Sequence, residues 1–182
     1  MVEDNVQKND SKNKIKAIIK EYLINLIIIG GMAVIILKFI VYPVYIPSKS
    51  MVPTLNVKDM LFVTKVYKPE NLQRGNIITF RCDEYGSKLL IKRLIGLPGD
   101  NVQIVNGAVY INGKALDEPY VVNNEEFDGV YVVPEGKYFV LGDNRANSDD
   151  SRYWHNSFVD ADGIDGKILI RWYPFNEAGR VN

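Results

Sequence analysis

The segment Asn101-Val-Gln-Ile-Val-Asn-Gly-Ala-Val-Tyr-Ile111 contains two short runs on either side of Asn106-Gly107. Apolar residues recur at every second position in both runs, and Val, Ile and Tyr favour strands. An Asn-Gly pair between two such runs is a strong signal for a two-residue turn, because both residues tolerate positive φ. The segment therefore predicts an antiparallel β-hairpin.

Six further runs of the same kind lie around this hairpin, separated by turn signals rich in Gly, Pro and Asn. The predicted strands are Leu61–Thr64, Asn76–Phe80, Leu89–Ile91, Val130–Val133, Tyr138–Leu141 and Ile168–Tyr173. No stretch after Pro43 has the length and periodicity of a long amphipathic helix. The fold class is therefore mainly β, with one antiparallel β-sheet domain over residues 43–182.

The first forty residues follow a different pattern. Tyr22–Leu37 carries no charge, and beyond Lys38 the apolar character continues to Tyr42. As a helix, Tyr22 to Tyr42 would span about 30 Å, the thickness of the hydrocarbon core of a bilayer. Five lysines in residues 1–20, against three acidic residues, are a positive-inside signal. We therefore predict a cytoplasmic basic N-terminus (1–20), a single-pass transmembrane signal-anchor helix in the cell membrane (21–42) and an extracytoplasmic domain (43–182).

Two other structures would contain a similar apolar run. A buried helix of a small soluble domain is disfavoured, because the run is apolar around its whole circumference. A cleavable signal peptide would have positive residues before it, and Ser48-Lys49-Ser50 loosely resembles a small-x-small cleavage site. The apolar region is longer than a typical signal core, however, and Pro43 and Pro47 separate it from that site. An uncleaved anchor is the favoured interpretation.

Composition excludes several classes of protein. The 182 residues are 47% hydrophobic and 24% charged, with a formal net charge of zero. These values argue against a disordered chain and against a globally basic nucleic-acid-binding protein. Cys82 and His155 are the only residues of their types. A disulfide framework within the chain, a multi-cysteine metal site and a His-rich metal centre are therefore excluded.

Three polar segments carry the candidate chemistry. Pro47-Ser-Lys-Ser-Met-Val-Pro-Thr-Leu55 is a rigid loop directly after the predicted anchor. Ile91-Lys-Arg-Leu-Ile-Gly96 leads into Leu97-Pro-Gly-Asp100, and Gly142-Asp-Asn-Arg-Ala-Asn-Ser-Asp-Asp-Ser-Arg152 follows later. Each alone is consistent with an ordinary turn or a solvated charge run. A serine hydroxyl, however, becomes a useful nucleophile beside a base, and a lysine becomes a base when burial lowers its pKa.

Together the three segments resemble the type I signal peptidases, which are membrane-anchored serine endopeptidases with a Ser/Lys dyad. The resemblance covers roughly residues 20–175. Within the family, the chain looks like a small Gram-positive member. It implies that Ser50 is the nucleophile and Lys92 the general base. It further implies that Ser48 contributes to the oxyanion hole and that Ser148 orients the lysine. The positions that look like structural support through ion pairs are Asp143, Arg145, Asp150 and Arg152, and those that line substrate pockets are Ile46, Met51, Leu55 and Ile91.

The same resemblance implies a function and a set of partners. The substrates would be secretory pre-proteins, cleaved at their N-terminal signal peptides after small side chains. The peptide would bind extended between Leu89–Lys92 and Tyr42–Pro47. The lipid bilayer and the protein-export machinery are the other expected partners, nucleic acid is not one, and no metal or cofactor is needed.

Two features of the sequence leave alternatives open. Ala146 and Asn76 both stand where many members of the family have Asp. A degenerate member could be a membrane-anchored, non-catalytic β-rich binding module, although it should then have lost Ser50, Lys92, Ser48 or Ser148. A dedicated peptidase for specialised clients such as pilins is the nearest alternative among enzymes.

Overall fold

The computed structural model describes residues 2–82, 86 and 88–181 and divides into two compact units, Met1–Val41 and Tyr42–Asn182. The end residues Met1 and Asn182 of the predicted segments 1–20 and 43–182 lie outside the described residues. The first unit is helical and the second is built mainly from antiparallel strands. The predicted fold class is confirmed.

The N-terminal unit is one helix, α1, over Val2–Phe39. Its stretch Ile18–Phe39 is long and apolar enough to cross a membrane, and its side chains are exposed. The helix ends three residues before the predicted limit at 42. Proline disfavours helical backbone in the residue before it, so Pro43 directs Tyr42 into extended structure and Val41–Tyr45 becomes a strand.

The second unit contains two antiparallel sheets. Their strands are β1 Val41–Tyr45, β2 Met60–Lys65, β3 Ile77–Cys82, β4 Lys88–Gly96, β5 Asn101–Val105, β6 Ala108–Ile111, β7 Lys114–Ala115, β8 Gly129–Val132, β9 Lys137–Leu141, β10 Val159–Asp160, β11 Ile164–Tyr173 and β12 Gly179–Arg180. Short 3₁₀ turns cover Pro69–Asn71, Arg145–Asn147, Ala161–Gly163 and Phe175–Glu177.

The order of strands places the candidate site in the larger sheet. Within the described residues this sheet runs β1-β2-β11-β3-β4-β9-β10, with β12 on β11, and the smaller sheet runs β7-β6-β5-β8. Every predicted strand is present. The predicted hairpin pairs Val105 with Ala108, and Asn106 and Gly107 have φ of 47° and 79°.

Four strands were not predicted, for two physical reasons. β7, β10 and β12 have two residues each, too few to leave a periodic pattern. β1 contains Pro43, which lacks an N–H donor and is tolerated because β1 is an edge strand. Its sequence also continues the apolar run of the helix without a turn signal.

Three apolar clusters form the core of the second unit. One lies around Phe80 and Trp154, and a second lies under the smaller sheet around Val102 and Phe139. The third underlies the loop that follows β1 and consists of Ile46, Met51, Leu55, Leu61, Val63, Ile77 and Ile168. This third cluster supports the serine-containing segment from below.

Candidate active site

The loop after β1 presents Ser50. Its base is closed by hydrogen bonds from Ile46 N to Asp59 O (3.0 Å) and from Lys58 N to Ile46 O (2.9 Å). Ser50 is only 7% exposed. Ser48 is exposed, and its Oγ lies 3.4 Å from Ser50 Oγ. The loop is thus closed at its base and packs on the third apolar cluster, and it holds the hydroxyls of Ser48 and Ser50 close together.

Asn144 ties this loop to the polar segment that follows β9. Its backbone N–H donates to Ser50 O at 3.0 Å, and its side-chain Nδ2 donates to Lys49 O at 3.0 Å. Asn144 is itself buried. The backbone on which Ser50 sits is therefore fixed by the segment from Gly142 to Arg152, although the two lie about 90 residues apart in sequence.

Lys92 projects from β4 into a buried polar environment. It pairs with Ile78 of β3 and is 5% exposed. Its Nζ donates to Ser148 Oγ at 2.9 Å, and Ser148 Oγ donates to Asp150 Oδ2 at 2.6 Å. Within the part of the chain that the structure describes, the lysine thus has a hydroxyl partner rather than a direct carboxylate partner.

Burial lowers the pKa of Lys92 from its usual value of 10.5 to about 8. Loss of solvation of the ammonium group is the largest cause. The negative charges of Asp150 and Asp149 raise the pKa in part, whereas Arg152 lowers it. A lysine with this pKa exists partly as a neutral amine near neutral pH and can accept a proton.

The predicted supporting residues form ion pairs, but not all between neighbours in sequence. Asp150 pairs with Arg152 at 2.8 Å. Asp143 pairs with Arg93 at 2.7 Å, and Arg145 pairs with Glu118 at 2.6 Å. Arg93, the neighbour of Lys92 in β4, is only 2% exposed. These cations are buried because each has a carboxylate within hydrogen-bonding distance.

Gly142 lies between the side chain of Ser148 and the backbone of Ser50. A Cβ atom at this position would collide with the side chain of Ser148 and with the carbonyl oxygen of Ser50. The side chain of Ser148 and the backbone of Ser50 therefore flank the same point. Only glycine fits between them.

Ser50 and Lys92 both line one groove with a volume of about 620 Å³. Its walls are mostly apolar and come from β1, the serine loop and the first half of β4. Its lining residues are Tyr42, Pro43, Val44, Tyr45, Ile46, Pro47, Ser48, Ser50, Met51, Arg81, Lys88, Leu89, Leu90, Ile91 and Lys92. Of the four predicted pocket residues, Leu55 is not in this lining and lies fully buried in the core below.

The two departures from the family pattern are accommodated locally. Asn76 Oδ1 accepts a hydrogen bond from Gln73 N at 3.1 Å, the contact that an Asp carboxylate would also make. Ala146 is exposed, and its N–H donates to Asn123 O at 2.9 Å. Neither residue contacts Ser50 or Lys92 through its side chain.

Several residues that complete the site were not among those predicted. Thr54 Oγ1 donates to Asp143 Oδ2 at 2.5 Å, and the ring of Tyr120 lies under the guanidinium of Arg93 at 3.8 Å. Glu118 and Tyr120 belong to a loop with no motif of its own, which is separate in sequence from the three polar segments. Only the pairing of Glu118 with a distant arginine distinguishes it from a surface carboxylate.

Comparison with known proteins assigns the family. The profile of the family described as "Signal peptidase, peptidase S26" matches residues 19–173. A probable signal peptidase I-2 of Synechocystis sp. is 41% identical over 155 residues, which cover 81% of this chain and 70% of that protein. A signal peptidase I S of Bacillus subtilis is 37% identical over 188 residues, covering 96% of this chain and 100% of that protein.

A solved structure is also similar. The crystal structure of a signal peptidase I from Enterococcus faecalis V583 has 40% sequence identity and a TM-score of 0.47, over 53% of this chain and 96% of that one. The family profile spans most of the chain, and the two relatives exceed one third identity over most of their own lengths. The chain belongs to the signal peptidase family, peptidase S26.

Proposed function

We propose that this chain is a membrane-anchored peptidase that cleaves signal peptides from exported pre-proteins, with Ser50 as nucleophile and Lys92 as general base. One observation carries the assignment of the dyad: a buried lysine, hydrogen-bonded to a hydroxyl, shares an apolar groove with a buried serine. Membership of the family supports the class of reaction.

The protonation of Lys92 suits this role. With a pKa of about 8, about one fifth of the molecules carry the neutral amine at pH 7.4, against about one in a thousand for an unperturbed lysine. An extended peptide in the groove would exclude more water and favour the neutral form further. The base is therefore available without any metal or second titratable group.

The reaction would proceed in two steps. Lys92 Nζ takes the proton of Ser50 Oγ as this oxygen attacks the scissile carbonyl, and the same proton passes to the leaving amine as the C–N bond breaks. Water, deprotonated by Lys92, then attacks the ester, and the proton returns to Ser50 Oγ as the C–O bond breaks. Ser148 orients the amine throughout, because it accepts a hydrogen bond from Nζ.

The developing negative charge on the carbonyl oxygen needs donors. The Ser48 hydroxyl and the N–H of Ser50 would supply them. Asp143, Arg145, Asp150 and Arg152 would act by holding the loop that carries Ser148. These roles use the ion pairs already described and place none of the four in contact with substrate.

The groove suits an extended peptide with small side chains. Exposed backbone of β1 and of the first half of β4 would pair with the peptide, and Ile46, Met51 and Ile91 would form shallow pockets for side chains. Leu55 would set the depth of these pockets from below, since it packs in the same cluster as Ile46 and Met51. A signal peptide with small residues before the cleavage site fits such pockets.

The proposed topology follows from charge. Residues 1–20 would lie in the cytoplasm, 21–42 would carry the anchor and 43–182 would face outward, next to the bilayer and the export machinery. Protease added to right-side-out vesicles should then degrade the β domain, and protease added to inside-out vesicles should spare it. The reverse pattern would contradict this orientation.

Cleavage of a pre-protein by the purified full chain in detergent tests the function. The wild-type protein should cleave, and its kcat should rise with pH around pH 8 as Lys92 loses its proton. Ser50→Ala and Lys92→Ala should each lower kcat by at least about 10³-fold. Lys114→Ala, at an exposed position in the smaller sheet, is the matched control and should cleave normally.

Thermal unfolding should show that both inactive variants are folded. Full turnover by either variant would overturn the dyad. Binding of the pre-protein without cleavage by the wild type would favour the non-catalytic module instead. Cleavage restricted to pilin-like substrates would favour the specialised peptidase.

A further inference from the structure

Residues 116–128, which join β7 to β8, lie against the loop 142–152; we call residues 116–128 the strap. The two segments are joined through their backbones. Val122 N donates to Asp143 O at 3.0 Å, and Arg145 N donates to Val122 O at 3.1 Å. The strap thus makes a short parallel pairing with the loop that carries Ser148.

Glu118 of the strap is the partner of a buried cation. Its Oε1 accepts hydrogen bonds from Arg145 Nη2 at 2.6 Å and from Tyr120 Oη at 3.0 Å. The side chains of Arg145 and Glu118 are 3% and 9% exposed. Water can therefore hardly replace the carboxylate, and its removal would leave a charge buried without compensation.

Tyr120 of the strap contacts a second buried cation. The guanidinium of Arg93 lies 3.8 Å from the centre of its ring, a cation–π geometry that is strong when both groups are desolvated. Burial and the nearby Glu118 carboxylate raise the pKa of the Tyr120 hydroxyl, so it stays protonated as a donor. Glu118 and Tyr120 together hold both arginines from one side.

Both arginines connect directly to the groups around the dyad. Arg93 binds Asp143, which precedes Asn144, and Asn144 donates to the carbonyl oxygen of Ser50. Arg145 follows Asn144 and accepts a hydrogen bond from Arg152 Nη2 on its carbonyl oxygen at 2.7 Å. The strap therefore contacts the loop 142–152 through Arg145 directly and through Arg93, which binds Asp143.

We propose that Glu118 and Tyr120 are positioning residues for the peptidase reaction, which hold the loop 142–152 so that Ser148 and Asn144 meet Lys92 and Ser50 in a reactive arrangement. The inference rests on the proposed function of Ser50 and Lys92. A displacement of about 1 Å at a reacting group can lower a rate by about 100-fold. Neither residue lines the substrate groove, so substrate binding should not depend on them.

Steady-state kinetics on the full chain in detergent provides the first test. Glu118→Gln and Tyr120→Leu should each lower kcat by about 10- to 100-fold, while KM changes by less than about threefold. Tyr120→Phe keeps the ring under Arg93 and should lose only about threefold. Glu126→Gln, an exposed carboxylate of the same strap, is the matched control and should match the wild type.

Hydrogen exchange in the Ser50→Ala background provides a second measurement that needs no activity. Glu118→Gln should accelerate exchange of the Asn144 and Arg145 amides by about tenfold or more, and Glu126→Gln should not. A merely structural role would instead reduce the folded fraction and leave the kcat of the folded molecules unchanged.

Three results would overturn the proposal. They are an unchanged kcat for Glu118→Gln and Tyr120→Leu, a raised KM with unchanged kcat, and a loss of activity explained by the unfolded fraction alone. If Ser50→Ala cleaves normally, the proposed dyad fails instead. The exchange experiment then still decides whether the strap holds the loop.

Discussion

Two ion-pair clusters support the candidate site, and they are connected to it in different ways. In the first, which we call the Arg93 cluster, Arg93 Nε and Nη2 donate to the two oxygens of Asp143 at 2.8 and 2.7 Å. Thr54 and Tyr120 complete its surroundings. Its link to Ser50 runs through the backbone of Asn144, and the charge of Asp143 raises the pKa of Lys92 less than the charge of Asp150 does.

In the second, which we call the Arg152 cluster, the carboxylate of Asp150 is shared. It accepts hydrogen bonds from Arg152, from Gly142 N and from the Ser148 hydroxyl that contacts Lys92. The negative charge of Asp150 therefore acts on Lys92 and raises the pKa of this lysine. The Arg93 cluster acts mainly by fixing a backbone, whereas the Arg152 cluster has the larger influence on the protonation of the base.

Breaking the Arg93 cluster should have the largest effect on stability. Asp143→Ala removes the carboxylate that accepts two hydrogen bonds from the buried Arg93 guanidinium, which should lower the free energy of unfolding by about 3–5 kcal/mol. Urea unfolding followed by fluorescence would measure it. Asp117→Ala, which removes an exposed carboxylate, is the control. Equal stability of the two variants would show that the buried pair contributes nothing.

Removing the charge of Lys92 should have an intermediate effect of opposite sign. The pKa of Lys92 is about 8 in the folded protein and about 10.4 in an unfolded chain, so below pH 8 the folded state carries a buried, poorly solvated ammonium group. Lys92→Met should therefore raise the free energy of unfolding by about 1–3 kcal/mol at pH 7.

The advantage of Lys92→Met should decrease between about pH 8 and 10.4. In this window the folded wild type has lost the proton that the unfolded chain still binds, so the stability of the wild type rises with pH. Urea unfolding at several pH values, with Lys114→Met as the exposed control, would measure the difference. A constant difference across this range would contradict a perturbed lysine.

A small change near the Arg152 cluster should separate electrostatics from packing. Asp149 is exposed, and its charge raises the pKa of Lys92. Asp149→Asn should lower that pKa and move the acidic limb of the kcat profile to lower pH by about 0.3 unit. Asp162→Asn, far along the chain and exposed, should leave the limb in place. A shift to higher pH would refute the assigned sign.

The strands were predictable, and the candidate residues could be selected, because both inferences depend on local sequence. Alternation around Asn106-Gly107 specifies a hairpin wherever the segment lies in the fold. Ser50 and Lys92 were selected by motifs within single segments. β1 was missed because its sequence continues the apolar run of the anchor, and Leu55 was placed in a pocket because residue type alone does not separate a lining residue from a core residue.

The partners of the charged residues were not predictable in the same way. Asp143 and Arg145 lie two residues apart in the loop after β9, and both were predicted to form supporting ion pairs. The fold instead brings Arg93 from β4 to Asp143, and Glu118 from the strap to Arg145. A buried cation takes whichever carboxylate the packing delivers, and packing joins segments that are distant in sequence.

By itself the sequence determined the elements: an apolar helix long enough to span a bilayer, a set of alternating strands, and a serine and a lysine in recognisable segments. Periodicity, turn chemistry and side-chain type act over a few residues, so they can be read locally. Tertiary structure alone decided that Lys92 is buried beside Ser148, that its pKa falls to about 8 and that the strap closes on the loop beside it. Desolvation and ion pairing depend on what surrounds a group in space, and that environment exists only once the chain has folded.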